Sequence, residues 1–349
     1  MTLLSSYAYA RSGRRMDSRG SCLASVGTRI FFVLLLLGGG RVAAQTDVAR
    51  AATPSVRELT DGIGRRVKVP REAIRIVSLA PNLTEIVFAL GDGSHLAGDT
   101  EFCDYPPQAT QKPHVGGPVN PNLEQIAALM PDLVLATKSI NRRETVDALD
   151  RIGLPVYVTD PHSVDEMIDS VDHLGSALGE EKSAAALAKE LQSRLADLDR
   201  RLAGSAPRRV LFVVWTDPLI SIGRDTFIAD ALHRAGGRSV VDTSTEWPRV
   251  SLEEMVRLQP EILIFASAHA GDTQHDIDAL RTRPGWKDLE ALRNGRIVIV
   301  SDAINRPAPR MLDAIEQLAR ALHPEAFSSR AVPREDSRLV TEEACACVR

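Results

Sequence analysis

Apolar positions along the chain fall into short runs of strand length, separated by stretches in which they recur every three or four residues. Ile76-Val77-Ser78-Leu79, with Arg75 before it, reads as a buried strand. A helix is expected from Pro81, with Asn82 and Glu85 at capping-box spacing and Gly91 as its stop. A short strand then ends near Gly98, and a loop rich in Pro and Gly follows, including Phe102-Cys103-Asp104-Tyr105-Pro106-Pro107 and Val115-Gly116-Gly117-Pro118. Val156-Tyr157-Val158 is a further strand, and a helix starts at Ser163. In the second half, strands are predicted at 210–215, 262–265 and 296–300. Helices are predicted near 225–235, 251–258 and 276–283 and from Pro309 to Leu322.

One pattern occurs twice. Asn122-Leu123-Glu124-Gln125-Ile126-Ala127-Ala128-Leu129-Met130-Pro131-Asp132-Leu133-Val134-Leu135 recurs 129 residues later as Ser251-Leu252-Glu253-Glu254-Met255-Val256-Arg257-Leu258-Gln259-Pro260-Glu261-Ile262-Leu263-Ile264. Each copy reads as a short helix, a Pro break and a buried strand, with Glu at its third position. Self-similarity at this spacing predicts two lobes on one plan. Between them, Leu187, Leu191, Leu195, Leu198 and Leu202 fall on one helical face without a Gly or Pro before Gly204. The fold class is therefore α/β: two Rossmann-like lobes with mostly parallel sheets, joined by one long connecting helix that acts as a stiff strut. The lobes are expected at 75–179 and 205–324, the connector at 180–204, a linker and small hairpin at 45–74 and a flexible tail at 325–349.

Residues 1–44 read as a secretory signal: several arginines, the apolar run Ile30 to Leu37, then Val42-Ala43-Ala44 at a cleavage site, with Met16 as a second candidate start. A run of this length is short for a membrane span; an uncleaved anchor holding a cell-surface sensor is the alternative. No Cys stands close after the run to become a new N-terminus, which argues against lipid attachment. Residues 1–44 carry six Arg and one Asp, so the formal −4 of the whole chain becomes −9 for residues 45–349. That acidic balance excludes nucleic acid as the expected partner. Cys103, Cys345 and Cys347 form no disulfide framework.

The catalytic patterns GxSxG, P-loop and HExxH are absent, and Gly91-Asp92-Gly93 follows a helix where a dinucleotide loop would precede one. His269 and His275 flank Ala270 to Gln274, so a metal-dependent enzyme is a rival reading, against the plainer one of solvated surface histidines. Unusual residues gather instead after strands, at the ends that face a cleft in parallel sheets. Trp215-Thr216-Asp217-Pro218 and Ser301-Asp302-Ala303-Ile304-Asn305-Arg306 are two such sets; Phe102 and Tyr105 lie in the long loop, and Trp247 just before the second repeat. Singly, each aromatic reads equally well as a cap on the core. Together they fit a broad, flat, partly apolar ligand between lobes. Glu124 and Glu253 singly read as helix-dipole partners; their repetition fits a partner with two matching cationic sites.

Between Arg75 and Leu322 the chain resembles the periplasmic substrate-binding proteins of ABC importers, in the rigid-helix class that carries cobalamin, haem and iron-siderophores, and most of all its cobalamin-binding members. The matching pieces are Ile76 to Glu85, Asp104 to Ala109, Asn122-Leu123-Glu124, Trp247 to Ser251 and Arg306 to Arg310. The resemblance implies binding without catalysis, cobalamin or a related corrinoid as transported ligand, no resident cofactor or metal, a monomer in the periplasm, and an ABC permease dimer in the inner membrane as partner. It places Glu124 and Glu253 as permease-docking carboxylates, Phe102 as an aromatic ligand contact, Trp247 as a wall residue and Asp302 to Arg306 as a ligand-lining loop. Pro118, Thr137 and Ile220 stand where bulky aromatics are expected, so the corrin-contacting surface departs from the pattern. An iron-siderophore or haem is the rival ligand; anionic siderophores would call on Arg306 and Arg224.

Overall fold

The computed structural model describes residues 55–267 and 270–328. The expected leader, the linker before residue 55, His269, Cys345, Cys347 and the tail beyond Ser328 lie outside the described residues.

A hairpin comes first. β1 (Val56–Thr60) pairs antiparallel with β2 (Arg66–Pro70), and Asp61 closes the turn by accepting from the backbone N–H groups of Ile63 and Arg65. The first lobe follows as β3 (Ile76–Ser78), α1 (Pro81–Ala89), β4 (Leu96–Gly98), α2 (Leu123–Ala128), β5 (Leu133–Thr137), α3 (Arg143–Arg151), β6 (Val156–Thr159) and α4 (Val164–Leu178). Its four strands are parallel, in the order β4-β3-β5-β6. The connector α5 (Glu181–Leu202) runs for 22 residues, about 33 Å at 1.5 Å each.

The second lobe comprises β7 (Arg208–Val213), β8 (Trp215–Thr216), β9 (Leu219–Ile220), α6 (Phe227–Arg234), β10 (Gly237–Ser239), α7 (Leu252–Leu258), β11 (Ile262–Ser267), α8 (Ala270–Leu280), α9 (Glu290–Arg293) and β12 (Ile297–Ser301), then α10 (Met311–Leu322) and α11 (Pro324–Phe327). The sheet order β10-β7-β11-β12, again all parallel, repeats that of the first lobe strand for strand.

The duplication extends to fine detail. Met130 and Gln259, 129 positions apart, both take a left-handed conformation at φ 46°. The end of α2 is capped by Arg75, which donates to the Leu129 carbonyl at 3.0 Å; the end of α7 is capped by Arg209, which donates to the Leu258 carbonyl at 2.6 Å. Helices this short leave most of their carbonyls unpaired, and the guanidinium supplies the missing donor.

One apolar cluster links the lobes. It runs from Val69 and Leu83 through Leu191, Leu195 and Leu198 of α5 to Ile228, Leu312 and Ile315. Each lobe backs its sheet with a second cluster, around Ile126, Val134 and Leu149 in the first and Met255, Leu263 and Trp286 in the second. The strut is thus embedded: α5 packs along α4 and against α10 and α11. A Cβ at Gly175 of α4 would stand 2.1 Å from the Ala184 Cβ, so glycine is what lets the two helices meet. A shared apolar interface of this kind resists hinge motion.

Four local expectations differ. α1 has no capping box: Pro81 occupies its first turn after Ala80, and Asn82 and Glu85 are buried. The helix expected at 276–283 spans Ala270–Leu280, so the stretch before His275 is helical and not a loop. Trp215 does not end a strand; the chain turns after Val213 and pairs Trp215 with Ile220 in a small hairpin. The expected tail, 325–349, starts inside a helical turn, Pro324–Phe327, with Phe327 packed on the shared core.

Candidate ligand cleft and docking tips

In an open parallel sheet the chain departs to opposite sides at one point, and ligands sit beyond the strand ends there. Here that point lies between β3 and β5 in one lobe and between β7 and β11 in the other. The long loop of the first lobe is tied down beside it. Asp99 N–H donates to the Pro113 carbonyl at 3.0 Å, Val115 N–H to the Asp99 carbonyl at 2.8 Å, and Glu101 N–H to the Gly116 carbonyl at 3.1 Å. The Asp99 carboxylate meets His114 Nδ1 at 2.7 Å. Cys103 points inward, 3.2 Å from the hydroxyls of both Thr84 and Thr100, and burial pushes its thiol up to about 11. With Cys103 inside, its neighbours face out: Phe102 is 46% and Tyr105 42% exposed.

Asn141 fixes the neighbouring strand ends. Its amide donates to the carbonyls of Leu79 at 2.9 Å and Pro118 at 2.8 Å, while its oxygen accepts from Thr137 N–H at 2.7 Å. Thr137 itself is buried, so that position offers the cleft no side-chain surface.

Across from this loop, residues 302–305 form a single 3-10 turn after β12. The turn points the side chains of Ala303 and Ile304 into the core, so of these two ligand-lining candidates only the backbone is left to face a ligand. Asn305 remains exposed, and Asp302 and Arg306 are partly so. Arg306 is held by three carboxylates. Its guanidinium lies 2.5 Å from Asp104, 3.3 Å from Glu85 and 3.4 Å from Asp302. Arg310 adds a two-pronged contact to Glu85 at 2.9 and 3.2 Å and stacks over the Tyr105 ring, 4.1 Å from its centroid. Burial alone would raise the Asp104 carboxyl, but the hydrogen bond and charge of Arg306 outweigh it and hold the group below its ordinary value. Asp104, Tyr105 and Glu85 come from the first lobe and the two arginines from the second, so this cluster bridges them. Sequence spacing gave no sign of it; the partners are 202 and 221 residues apart.

The remaining aromatics occupy the second lobe. Trp215 is 44% exposed and its indole N–H donates to the Asp217 carbonyl at 2.7 Å. Trp247 is half-buried against the shared core. Its segment runs beside residues 221–223, where a Cβ at Gly223 would meet the Thr245 carbonyl at 2.0 Å. Arg224 pairs with Asp242 at 3.0 Å and lines a separate concavity of 490 Å³ around β10. A neighbouring concavity of 550 Å³ lies between α7 and the loop after β10. None of the aromatics or residues 302–306 lines either one. Among the described residues no three His, Cys, Asp or Glu side chains gather as a metal site.

Glu124 and Glu253 each take the second position of their short helix. α2 and α7 lead back to the start of β5 and β11, so each helix begins at the end of its sheet where the parallel strands finish. Asn122 caps α2 by accepting from Glu124 N–H at 3.0 Å, and Ser251 caps α7 by accepting from Glu254 N–H at 3.5 Å. Both glutamates are exposed, and neither pairs with a cation among the described residues. The adjacent Glu254 is tied to Arg257 at 2.5 Å.

Paired α/β lobes, a braced connector and matching acidic tips define a two-lobed binding protein. The chain belongs to the periplasmic binding protein family, whose model matches residues 76–303. It is 31% identical over 255 residues to the vitamin B12-binding protein of Vibrio cholerae, covering 72% of this chain and 90% of that protein. The crystal structure of the periplasmic vitamin B12-binding protein BtuF of Vibrio cholerae aligns with a TM-score of 0.65 at 30% identity, covering 73% of this chain and 98% of that one. The apo periplasmic haem-binding protein RhuT from Roseiflexus aligns with a TM-score of 0.64 at 28% identity, covering 72% and 98%. Members of this family are substrate-binding components of ABC transporters. No helix among the described residues is long and apolar enough to cross a membrane.

Proposed function

We propose that this protein captures cobalamin or a related corrinoid between its lobes in the periplasm and delivers it, as a monomer, to an ABC permease dimer in the inner membrane. The repeat carries the delivery half of this reading: one plan used twice puts one unpaired carboxylate on each lobe, at equivalent positions. Two such charges suit a partner that offers two equivalent cationic sites. Exposed pairs contribute only about 0–1 kcal/mol each, so they would set register and encounter rate more than hold the complex. The ligand half rests on the exposed Phe102, Tyr105 and Trp215 and on the likeness, in sequence and in structure, to the vitamin B12-binding protein of Vibrio cholerae. A flat apolar macrocycle matches aromatic walls, and a braced cleft binds through preorganised contacts with little closure.

Isothermal titration of the mature chain with cyanocobalamin, hemin and a ferric catecholate tests the ligand. Saturable heat with cyanocobalamin is expected, and silence with every corrinoid tried would remove the reading. Haem is the second reading, because Tyr105 presents a half-exposed phenol beside Arg310, a disposition that could hold ferric iron. Loss of a hemin absorbance shift in Tyr105→Phe would favour it.

A further inference from the structure

Five charged side chains meet where the two lobes touch: Glu85, Asp104 and Asp302 against Arg306 and Arg310. Counted as ionised, they sum to one net negative charge. The distribution matters as much as the sum. Glu85 is 3% exposed and lies beneath both guanidinium groups, whereas Asp104 is 60% exposed and covers Arg306 from the solvent side. Arg306 retains 19% exposure and Arg310 23%, with the Tyr105 ring over the latter. A further carboxylate, Glu101, stands on the same loop near Phe102 and forms no ion pair among the described residues.

We propose that this cluster acts as an anion filter on the cleft wall, with Asp104 as the specificity-determining residue. Resting on the cleft reading above, it deepens that reading by stating which ligands the cleft refuses. Arginine is the usual receptor for carboxylate and catecholate oxygens because its fork matches them in pairs. Here both forks are already filled from inside the protein. An incoming anion must displace Asp104 from Arg306 and then share that guanidinium's surroundings with Asp104 and Asp302, whose partner it has taken, while Glu85 stays paired with Arg310. A ligand with little negative charge at this wall meets no such penalty and still finds the faces of Phe102 and Tyr105. Displacement by an anion would also release the loop that carries Tyr105, because Asp104 is its neighbour and its tether to the second lobe.

The test titrates the mature wild-type chain, Asp104→Asn and Asp302→Asn with cyanocobalamin and with the ferric tris-catecholate anion. Either substitution removes one negative charge while keeping side-chain size. The ratio of tris-catecholate affinity to cyanocobalamin affinity should rise about tenfold or more in Asp104→Asn, and less in Asp302→Asn, whose contact to Arg306 is longer at 3.4 Å. The gain should weaken as salt is raised. An unchanged or lower ratio in both variants would overturn the filter, as would wild-type protein that binds the tris-catecholate as tightly as Asp104→Asn. The two readings separate cleanly. If no variant binds cyanocobalamin while Asp104→Asn gains the anion, the corrinoid reading falls and the filter stands; if wild type binds cyanocobalamin and no variant gains the anion, the filter alone falls.

Discussion

Glu85 and Glu124 stand on successive helices of the same lobe, yet they live in different chemical worlds. Glu85 lies in the middle of α1, 3% exposed, and both of its oxygens accept from arginines of the other lobe. Glu124 lies at the start of α2, exposed, with no ion pair among the described residues. The difference follows from where each helix points. α1 leaves β3 at the junction between lobes, so a carboxylate there is enclosed by the second lobe and becomes part of the frame. α2 begins at the loop before Asn122, where the carboxylate is exposed and keeps its charge available. The same contrast recurs in the second lobe, where Glu253 is exposed and Asp302, partly buried, meets Arg306 at 3.4 Å. Position relative to the lobe junction, not residue type, separates carboxylates that hold the protein together from those offered outward.

The hardest way to break this comparison is to remove Glu85. Glu85→Ala leaves two partly buried guanidinium groups without their innermost partner. Loss of one member of a buried ion pair costs roughly 3–5 kcal/mol, because the surviving charge stays desolvated. Urea denaturation should show a loss of that order. A loss under about 1 kcal/mol would mean the cluster relaxes into solvent and braces nothing. Glu85→Gln should cost less, since its amide oxygen still accepts one of the arginine bonds.

Asp99 sharpens the comparison, because it is a buried carboxylate whose partner is a histidine. It is fully buried, and that burial pushes its carboxyl up from 3.8 to about 6, against the opposing hydrogen bond and charge of His114 and the charge of Lys112. The folded protein therefore holds a proton between about pH 4 and 6 that the unfolded chain has released. The stability this contributes is complete below the unfolded value and is lost as pH rises through about 6. Asp99→Asn cannot titrate. The stability of wild type relative to this variant should fall between pH 4 and pH 7, by something on the order of 2 kcal/mol. A rise over the same interval would show that the pair with His114 outweighs burial.

What could be read from the sequence divides along the same line. The repeated helix, Pro break and strand are local patterns, so 122–135 and 251–264 were legible, as were the lobes, the parallel sheets and the leucine face of α5. The exposed glutamates were visible for the same reason, since their helices are built within one short segment. The bridge between lobes was not. Arg306 meets Asp104 and Glu85 across more than 200 residues, and no local rule anticipates such a pair. Local reasoning even misassigned Glu85, because a buried residue three positions after Asn82 has the spacing of a surface cap. Ala303 and Ile304 differ again: the stretch after β12 was visible, but the 3-10 turn that points those side chains inward was not. Asn141, Asp99 and His114 went unnoticed because single polar residues after strands are common, and only the fold brings them under one loop.

The smallest expected effect on stability belongs to the outward carboxylates, and it is the one that best isolates their role. Glu124→Lys and Glu253→Lys remove no contact from the described structure beyond a favourable position at a helix start, so each should change unfolding free energy by no more than about 0.5–1 kcal/mol. Uptake should respond more strongly. If two cationic sites on a permease meet these tips, each reversal replaces an attraction with a repulsion, and at 1.4 kcal/mol per tenfold the double variant should lose roughly tenfold or more in transport. The measurement is uptake of labelled cyanocobalamin in cells that rely on this protein, alongside calorimetric binding to the purified variants. Binding retained with transport lost would place the defect after capture. Single variants with equal losses would support symmetric docking, and a loss confined to one of them would mean that only one lobe's tip engages the partner. Normal transport in the double variant would leave the outward carboxylates as helix-end charges and nothing more, and the contrast with Glu85 would then be one of burial alone.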